Sequence, residues 1–454
     1  MLRKLGLGAV AALAAWSLGA TGAQTASQSA WLAKQRAATA KSESILREAE
    51  KRKGLLGQYQ LMRYAYASDK DEAFRLIFGQ YLSWYQTYLG AYDDARSTFS
   101  IRQPAEKDDN ASPLADADCA AQPAIDAVAA LAKDRKAVFF NEAHNAPVTR
   151  TLTVQMLARL RAEGFDTFAA ETLYSTDKDL AKRGYPTENS GFYTEEPIYA
   201  EMVRTALKLG YRVIAYEAES DASGDAREAE QARNLYQRAF KDHPDARLVV
   251  NAGYAHIVES GVYLGGQSMA QHFRKLSGID PLTVEQTMLI AHDKPDKDHP
   301  YYRAAIARLH PAAPLVFVCK GGTPWSLKPG YDVSVFFPED QLRRGRPTWL
   351  SLGGLRVPYF VSGDLCDKTY PCLLEARYAD EGDDAIPADR VVLDPAPLDN
   401  AAVTPADRVR QGQAEPSTEL YLRPGRYRLT AVDQDDRALG RHSITVRADG
   451  GGSS

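Results

Sequence analysis

The chain is poor in cysteine, with four among 454 residues, and none of them stands in a CxxC pair. A formal net charge of only −4 and a hydrophobic fraction of 44% are ordinary values for a globular protein. No glycine-rich phosphate loop follows the first predicted strand, and no GxSxG motif occurs. These absences argue against a CxxC metal site, wholesale binding to nucleic acid, nucleotide hydrolysis and serine-esterase chemistry.

Long apolar runs are also missing, and the most apolar stretch stands at the start of the chain. Arg3 and Lys4 precede the stretch from Leu5 to Leu18, and small residues follow it up to Ala23. This pattern is typical of a signal peptide, residues 1–23, and the stretch is shorter than the about 20 residues of a transmembrane helix. We therefore expect an exported protein, periplasmic or secreted, whose mature chain has no transmembrane anchor. An uncleaved anchor is the alternative.

The cysteines fit an oxidising destination. Cys366 and Cys372 bracket a short turn that a disulfide could close, with free buried thiols as the alternative. Four cysteines allow three pairings, so the sequence leaves the pairing of Cys119 and Cys319 open.

The composition predicts three parts after the signal peptide. Residues 24–115 are rich in helix formers, residues 116–340 alternate between β and α patterns, and residues 341–448 contain short β runs. A flexible tail, 449–454, ends the chain. The fold class is α/β: a largely parallel sheet with helices on both faces, preceded by a helical region and followed by a small antiparallel β-domain, which could contact another protein.

Three local patterns give further expectations. Aromatic residues at helical spacing in the first part predict a packing stripe, or alternatively a wall for a flat ligand: Phe74, Phe78, Tyr81, Tyr85, Tyr88 and Tyr92. The apolar runs 282–290 and 315–319 are expected to extend the parallel sheet. The turn Arg423-Pro424-Gly425 between two alternating runs predicts a β-hairpin.

Polar residues collect where the predicted parallel strands end. In open α/β sheets, ligands bind outside these carboxyl ends, so four consecutive strands that end in acids or histidines predict one shared site. The residues are Glu142 and His144, Glu171, Glu217 and Glu219, and His256. Each also has a structural interpretation, as a helix cap, a solvated acid or a hydrogen-bonded core histidine.

The residue types limit the chemistry. An imidazole titrates near neutral pH, so His144 or His256 could transfer protons or bind a metal. A metal held by Glu142, His144 and His256 would make a bound water nucleophilic, whereas a Glu–His pair could activate water directly. Both routes lead to hydrolysis. The long polar stretch between Leu173 and Glu195 would suit a lid over this site, or an exposed loop.

The central part resembles the erythromycin esterase/ChaN/Tiki superfamily. Asn141-Glu142-Ala143-His144, followed by a strand that ends in Glu171, is similar to the GExH…E arrangement, and Gly253-Tyr254-Ala255-His256 is similar to the Tiki-type GxxH element. The chain departs from the pattern at Asn141, where the family usually has Gly. It also has ExH, as in the ChaN branch, instead of the ExxH of the esterase branch.

The resemblance implies a polar cluster of Glu142, His144, Glu171 and His256, with Arg150 as the counterpart of an esterase-branch arginine. It implies a metal-dependent protease for Tiki-like members, a metal-independent hydrolase for esterase-like members, and haem or iron binding for ChaN-like members. We therefore expect a hydrolase of a small-molecule or peptide substrate, with a divalent metal as a possible cofactor. A haem- or iron-binding protein of the cell envelope is the first alternative, and a catalytically inactive interaction protein is the second.

Overall fold

The computed structural model describes residues 26–99, 106–394, 417–448 and 452–453. The predicted signal peptide lies outside these residues, so cleavage after Ala23 stays a prediction. The chain divides into two compact units. One contains residues 106–341, and the other contains residues 26–99 together with the described residues from 342 onward.

Helices and strands alternate in the unit that contains residues 106–341, as the sequence predicts, and the first four described helices belong to the other unit. The helices are α1 (Ala26–Ala49), α2 (Gly54–Ser68), α3 (Glu72–Tyr88), α4 (Tyr92–Thr98), α5 (Ala124–Ala132), α6 (Val148–Ala162), α7 (Leu180–Arg183), α8 (Pro197–Lys208), α9 (Asp225–Phe240), α10 (Met269–Ser277) and α11 (Pro300–Leu309). The strands before residue 342 are β1 (Cys119–Pro123), β2 (Ala137–Glu142), β3 (Thr167–Ala170), β4 (Arg212–Ala215), β5 (Leu248–Gly253), β6 (Leu282–Glu285), β7 (Leu315–Cys319), β8 (Thr323–Pro324) and β9 (Val333–Ser334).

The central sheet of the α/β unit has six strands in the order β4-β3-β5-β2-β6-β9, and every pairing in it is parallel. All residues of β2, β3 and β5 are buried, which explains why they are nearly continuous apolar runs. One face packs against α9 and α10 through an apolar cluster that includes Phe139, Val250, Leu235 and Phe273. A second group of helices, α5, α6 and α8, also flanks the sheet. The predicted fold class is confirmed.

The run 315–319 does not extend this sheet, contrary to the sequence prediction. Strand β7 pairs antiparallel with β1 on one side and with β8 on the other, in a separate three-stranded sheet. An apolar run shows that a strand is buried but does not identify its partner, and β9 already pairs with β6 at that edge of the parallel sheet. Of the predicted run 282–290, the part Leu282–Glu285 does extend the sheet.

The second unit combines the helices α1–α4 with antiparallel strands. These are β10 (Leu342–Arg343), β11 (Arg346–Pro347), β12 (Val357–Ser362), β13 (Cys372–Tyr378), β14 (Asp389–Leu393), β15 (Ser417–Leu422), β16 (Gly425–Val432), β17 (Ala438–Val446) and β18 (Gly452–Ser453). The rings of Phe74, Phe78, Tyr81 and Tyr88 on α3 and of Tyr92 on α4 are buried, as a packing stripe requires, whereas Tyr85 is half-buried.

The predicted hairpin around Pro424 is wrong. Strand β15 pairs with β12, whereas β16 lies between β13 and β17 in a five-stranded sheet, so the turn connects two sheets. Both edges of β16 are occupied, which leaves no edge for β15. In the predicted tail, Gly452 and Ser453 pair with Val446 and Thr445.

All four cysteines form disulfides, in one of the three possible pairings. The Cys366–Cys372 bridge is confirmed, and Cys119–Cys319 joins residues that lie opposite each other on β1 and β7. Among the described helices, none is long and apolar enough to cross a membrane.

Candidate active site

The predicted site residues meet at the carboxyl edge of three adjacent strands. Glu142 ends β2, Glu171 follows β3 directly, and Gly253 ends β5, three residues before His256. Because β3, β5 and β2 are neighbours in a parallel sheet, their carboxyl ends lie side by side. His144 and Arg150 reach the same place from the turn after β2 and from the first turn of α6.

Glu142 holds His144 in a fixed orientation. Oε1 of Glu142 lies 2.9 Å from Nδ1 of His144, and both side chains are almost inaccessible to solvent. Arg150 donates from Nε to Oε2 and from a terminal nitrogen to Oε1 of the same carboxylate. Burial opposes ionisation of Glu142, but the Arg150 charge and the His144 hydrogen bond outweigh it and lower the pKa of Glu142. An ionised Glu142 can only accept, so it receives a hydrogen bond from the Nδ1–H of His144 and the other ring nitrogen, Nε2, is directed elsewhere.

Arg150 is shared between two buried carboxylates. Its guanidinium donates to Oε2 of Glu196 at 2.8 Å and to the backbone oxygen of His144 at 3.2 Å. Glu196 is the N-cap of α8 and accepts from the backbone N–H groups of Ile198 and Tyr199. Burial alone would lower the pKa of Arg150, but the two carboxylates raise it. The arginine therefore connects the turn after β2 to the start of α8.

Glu171 lies between the two histidines. Its Oε1 is 3.4 Å from Nε2 of His256 and accepts from Arg227 at 3.3 Å, while Oε2 accepts from the backbone N–H of Gly253 at 2.5 Å. Burial alone would raise the pKa of Glu171, but His256, His144 and Arg227 lower it to about 2. This carboxylate is therefore ionised at neutral pH.

Gly253 explains the first position of the GxxH element. A Cβ there would lie 2.4 Å from Cε1 and 2.5 Å from Nε2 of His144, and 2.8 Å from Oε2 of Glu171. No side chain fits that space, so the absence of a Cβ lets the His144 ring and the Glu171 carboxylate approach each other over the end of β5. Nε2 of His144 and Oε2 of Glu171 consequently face the same region.

His256 has a carboxylate partner of its own, Glu228 of α9, which sequence reasoning missed. Nδ1 of His256 lies 2.7 Å from Oε2 of Glu228, and the same oxygen accepts from the backbone N–H of Met269 at 2.9 Å. Burial alone would lower the pKa of His256, but the charges of Glu228 and Glu171 raise it. The sequence does contain a signal for the burial of Glu228, which shares a helical face with the buried residues Gln231, Ala232 and Leu235.

Aromatic rings cover both histidines. Tyr193 stacks on His144 with ring centroids 4.0 Å apart, and Tyr254 meets the same imidazole edge-on at 4.9 Å. Tyr263 packs edge-on against His256 at 5.1 Å. Tyr193 belongs to the segment predicted as a lid or an exposed loop, and its backbone N–H donates to the side chain of Thr172, directly after Glu171. Tyr193 therefore covers the site, while other parts of the segment, including Lys178, Lys182 and Asn189, are exposed.

Asn141, which stands where the resembled family has glycine, crosslinks two strand ends. Its amide nitrogen donates to the backbone oxygen of Tyr254 at 2.7 Å, and its Oδ1 accepts from the backbone N–H of Gln286 at 2.6 Å. Glu285, at the end of β6, is a further buried carboxyl that sequence reasoning missed, and burial raises its pKa. It accepts from the backbone N–H and hydroxyl of Thr287. Both residues support the rim of the sheet.

The two additional predicted acids, Glu217 and Glu219, lie in different surroundings. Glu217 reaches the cluster through Arg227, which donates to both of its oxygens at 3.1 and 3.0 Å as well as to Glu171. Glu219 is 56% exposed and pairs with Arg238 at 2.7 Å. Glu217 is thus part of the charge network, and Glu219 is outside it.

The predicted metal ligands do not form a coordination set. Both oxygens of Glu142 are occupied by Arg150 and His144, and a guanidinium next to a carboxylate disfavours a second cation there. Among the described residues, the ligand atoms of Asp116, Cys119 and Cys319 lie within 4.8 Å of one another. Those two cysteines form a disulfide, so they offer no thiolates. Metal binding stays a prediction, and no catalytic step is assigned to a metal below.

Comparison with known proteins shows weak similarity of fold alone. No family model and no curated protein matches the chain. Among solved structures, the type III effector HopBA1 is 13% identical, with a TM-score of 0.27 over 37% of this chain and 87% of that one. RRSP, a MARTX toxin effector domain from Vibrio vulnificus CMCP6, is 16% identical, with a TM-score of 0.27 over 50% of each chain. A structure described as a bacterial protein toxin is 18% identical, with a TM-score of 0.29 over 50% of this chain and 52% of its own.

Proposed function

We propose that this protein is a hydrolase that activates water by general-base catalysis at His144. The observation that carries the proposal is the chain of contacts from Arg150 through Glu142 to Nδ1 of His144. A carboxylate on Nδ1 fixes the tautomer and the orientation of an imidazole, so that Nε2 can accept a proton from water. Here the carboxylate is itself held by a buried arginine, which keeps it ionised.

The remaining groups suit the rest of such a reaction. Nε2 of His144 takes a proton from water, and the hydroxide attacks the carbonyl carbon of an ester or amide. The charge that develops on the carbonyl oxygen would be stabilised by His256, because Glu228 and Glu171 raise its pKa and so favour its cationic form. When the bond to the leaving group breaks, the proton taken by His144 passes to the leaving oxygen or nitrogen. Glu171 orients the water and holds His256 in place.

Substrate access requires movement of the covering segment. His144 is 6% exposed and His256 is 5% exposed, and Tyr193 lies flat on His144. A bound substrate would replace the ring of Tyr193 above the imidazole and exclude water other than the nucleophile. The segment carrying Tyr193 therefore acts as the lid in this proposal.

The test compares His144→Ala with His243→Ala, an exposed histidine outside the site. Hydrolysis of a panel of chromogenic esters and fluorogenic peptides would be measured for both variants, together with thermal unfolding. We expect His144→Ala to lower kcat/KM by about 10²–10⁴-fold, or roughly 3–5 kcal/mol, with a melting temperature close to that of the parent. His243→Ala should leave the rate unchanged.

Three results would contradict this proposal. Equal rates for His144→Ala and the parent would remove His144 from the chemistry. Loss of activity with a chelator and recovery with added divalent metal would assign a metal-dependent hydrolysis instead. A Soret band in the purified protein, without any hydrolysis, would favour the haem-binding alternative.

A further inference from the structure

A cleft of about 580 Å³ lies beside β4, the edge strand of the parallel sheet. Its volume is in the range of ligand sites, about 300–1,000 Å³. Two segments form its walls: β4, through Val213, Ile214 and Ala215, and the segment 173–181, which begins two residues after Glu171. The cleft is outside the cluster of histidines described above.

The cleft runs along the open edge of β4 and not over one face of the sheet. Successive side chains of a strand point to opposite faces, so a groove on one face would be lined by alternate residues. Here three consecutive residues line it. All four residues of β4 are half-exposed, and among the described residues the strand pairs only with β3.

The outward backbone groups of β4 can be identified from its inward ones. The backbone N–H of Arg212 donates to Asp166 on the β3 side, so Val213 and Ala215 direct their N–H and carbonyl groups away from β3. The outward carbonyl of Ala215 accepts from Arg238 at 2.8 Å, which confirms this alternation. The N–H and carbonyl of Val213 remain available to a strand that enters the cleft.

Of the four charged residues that line the cleft, Lys178 is the one without a direct ion pair among the described residues, although its charge helps to lower the pKa of Glu219. Asp177 is held by Arg183 at 2.7 Å, and Glu219 is held by Arg238 at 2.7 Å. Lys178 is exposed, and within the described part of the chain it forms no ion pair. The cleft therefore complements a carboxylate.

The cleft also leads toward the active site. Tyr174, in its wall, is largely buried, and burial together with the charges of Glu195 and Glu217 raises its pKa to about 12. Glu217 is the carboxylate that Arg227 connects to Glu171. An occupant that follows β4 in the direction of the chain would thus move toward the carboxyl edge of the sheet.

We propose that this cleft binds an extended peptide segment carrying a carboxylate, which adds to β4 as a further strand. Strand addition obtains affinity from backbone hydrogen bonds and selectivity from side-chain pockets. The four residues of β4 match about four residues of peptide at roughly 3.3 Å per residue. Val213 supplies the backbone pair, and Lys178 binds the carboxylate. This binding does not require hydrolysis, so it stands or fails independently of the proposed function.

The experiment uses the full chain and two libraries of blocked hexapeptides. Each library varies Val, Thr, Ser and Leu at five positions, and the sixth is fixed as Glu in one library and as Lys in the other. Peptides that the immobilised protein retains are identified by mass spectrometry. The peptide that binds most tightly is synthesised again with N-methyl groups at alternate positions. We expect retention from the Glu library, with at least tenfold weaker binding when methylation blocks the amides that face β4, but not when it blocks the others.

Protein variants separate the two contacts. Val213→Pro removes an outward N–H without removing a β3–β4 hydrogen bond, and should weaken binding at least tenfold. Lys178→Ala should reduce the preference for Glu over Lys peptides, whereas Lys182→Ala, an exposed lysine outside the cleft, should not. His144→Ala should bind peptide as the parent does, which distinguishes this proposal from the proposed hydrolysis.

Several results would overturn the strand-addition proposal. These are no retention from the Glu library, equal binding by Val213→Pro, or binding that tolerates methylation at every position. Dimerisation of the parent that Val213→Pro abolishes would show instead that a second copy of the chain occupies the β4 edge.

Discussion

The substitution Gly253→Ala gives the sharpest test of the active-site geometry. The new methyl group would lie 2.4 Å from Cε1 of His144, where ordinary contact begins at about 3.4 Å. The His144 ring or the backbone must therefore move by about 1 Å. Glu171 restricts the alternatives, because its Oε2 would be 2.8 Å from the same methyl group.

The substitution should lower both stability and activity, by different amounts. Gly253 is absent from the glycines with positive φ, so alanine is acceptable to the backbone there and would by itself stabilise the protein by about 0.4–1 kcal/mol. Overpacking opposes this by about 1–3 kcal/mol. Unfolding free energy should thus fall by at most roughly 2.6 kcal/mol. A shift of 1 Å in a catalytic group lowers the rate about 10²-fold, so activity should suffer more than folding.

The measurement pairs kcat/KM on the best ester or peptide substrate with urea unfolding. Histidine ring NMR spectra would report the Nδ1 proton of His144 independently of any substrate. Gly79→Ala in α3 is the matched control, because Gly79 belongs to the other compact unit and the nearest atom to its new methyl group, the backbone oxygen of Thr98, is 3.3 Å away. We expect Gly79→Ala to leave the rate and the His144 signal unchanged.

An unchanged rate together with an unchanged His144 ring signal in Gly253→Ala would refute the reasoning. It would mean that His144 is not held over the end of β5, and that the close approach has no role in the reaction. Equal losses of rate and of folded protein would show a structural role only.

Three further predictions concern the charges and the disulfides. Arg150→Met leaves two buried carboxylates without their cation and should lower the free energy of unfolding by about 3–5 kcal/mol. Arg159→Met, which removes an exposed ion pair on the same helix, should lower it by about 0–1 kcal/mol, and similar losses for the two variants would contradict the prediction. Glu228→Gln should lower the pKa of His256 in NMR titrations. The variant should be less stable than the parent by the full amount below pH 6.5, and the difference should shrink as the pH rises through the pKa of folded His256. An unchanged pKa of His256 in the variant would refute this. Removing the Cys119–Cys319 disulfide, which spans 200 residues, should lower the free energy of unfolding by about 5 kcal/mol from chain entropy. Removing the Cys366–Cys372 disulfide, which spans 6 residues, should lower it by about 2 kcal/mol, and the reverse order in urea unfolding would count against the prediction.

The sequence predicted the strands of the parallel sheet and the meeting of Glu142, Glu171 and His256 at their carboxyl ends, for a physical reason. The strand-end rule depends only on chain direction and burial, and both are readable from the buried runs that precede Glu142, Glu171 and His256. The same reasoning failed for β7 and for the turn at Pro424, because an apolar or alternating run does not specify which strand it pairs with. Strand pairing is decided by contacts between distant segments.

Glu228 and Glu196 escaped prediction for a related reason. Each lies on or before a helix, and a helix carries its side chains to the sheet only after packing has fixed its rotation and offset. A polar residue on an otherwise buried helical face is the signal that remains in the sequence. Glu228 shows it, being fully buried beside Ala232 and Leu235.

Two imidazole–carboxylate pairs at one site would be redundant if they were equivalent, and their surroundings show that they are not. Glu142 is bound directly by Arg150 through both oxygens, so the arginine offsets its charge. The Glu228–His256 pair has its arginine farther away, with Arg227 at 3.7 Å from Glu228, and His256 also faces the ionised Glu171. The charges of Glu228 and Glu171 therefore raise the pKa of His256 and favour its cationic form, while Arg150 and Glu142 hold His144 in place. In the proposed mechanism His144 would be the base and His256 the electrostatic catalyst, and this division would follow from where the two arginines lie.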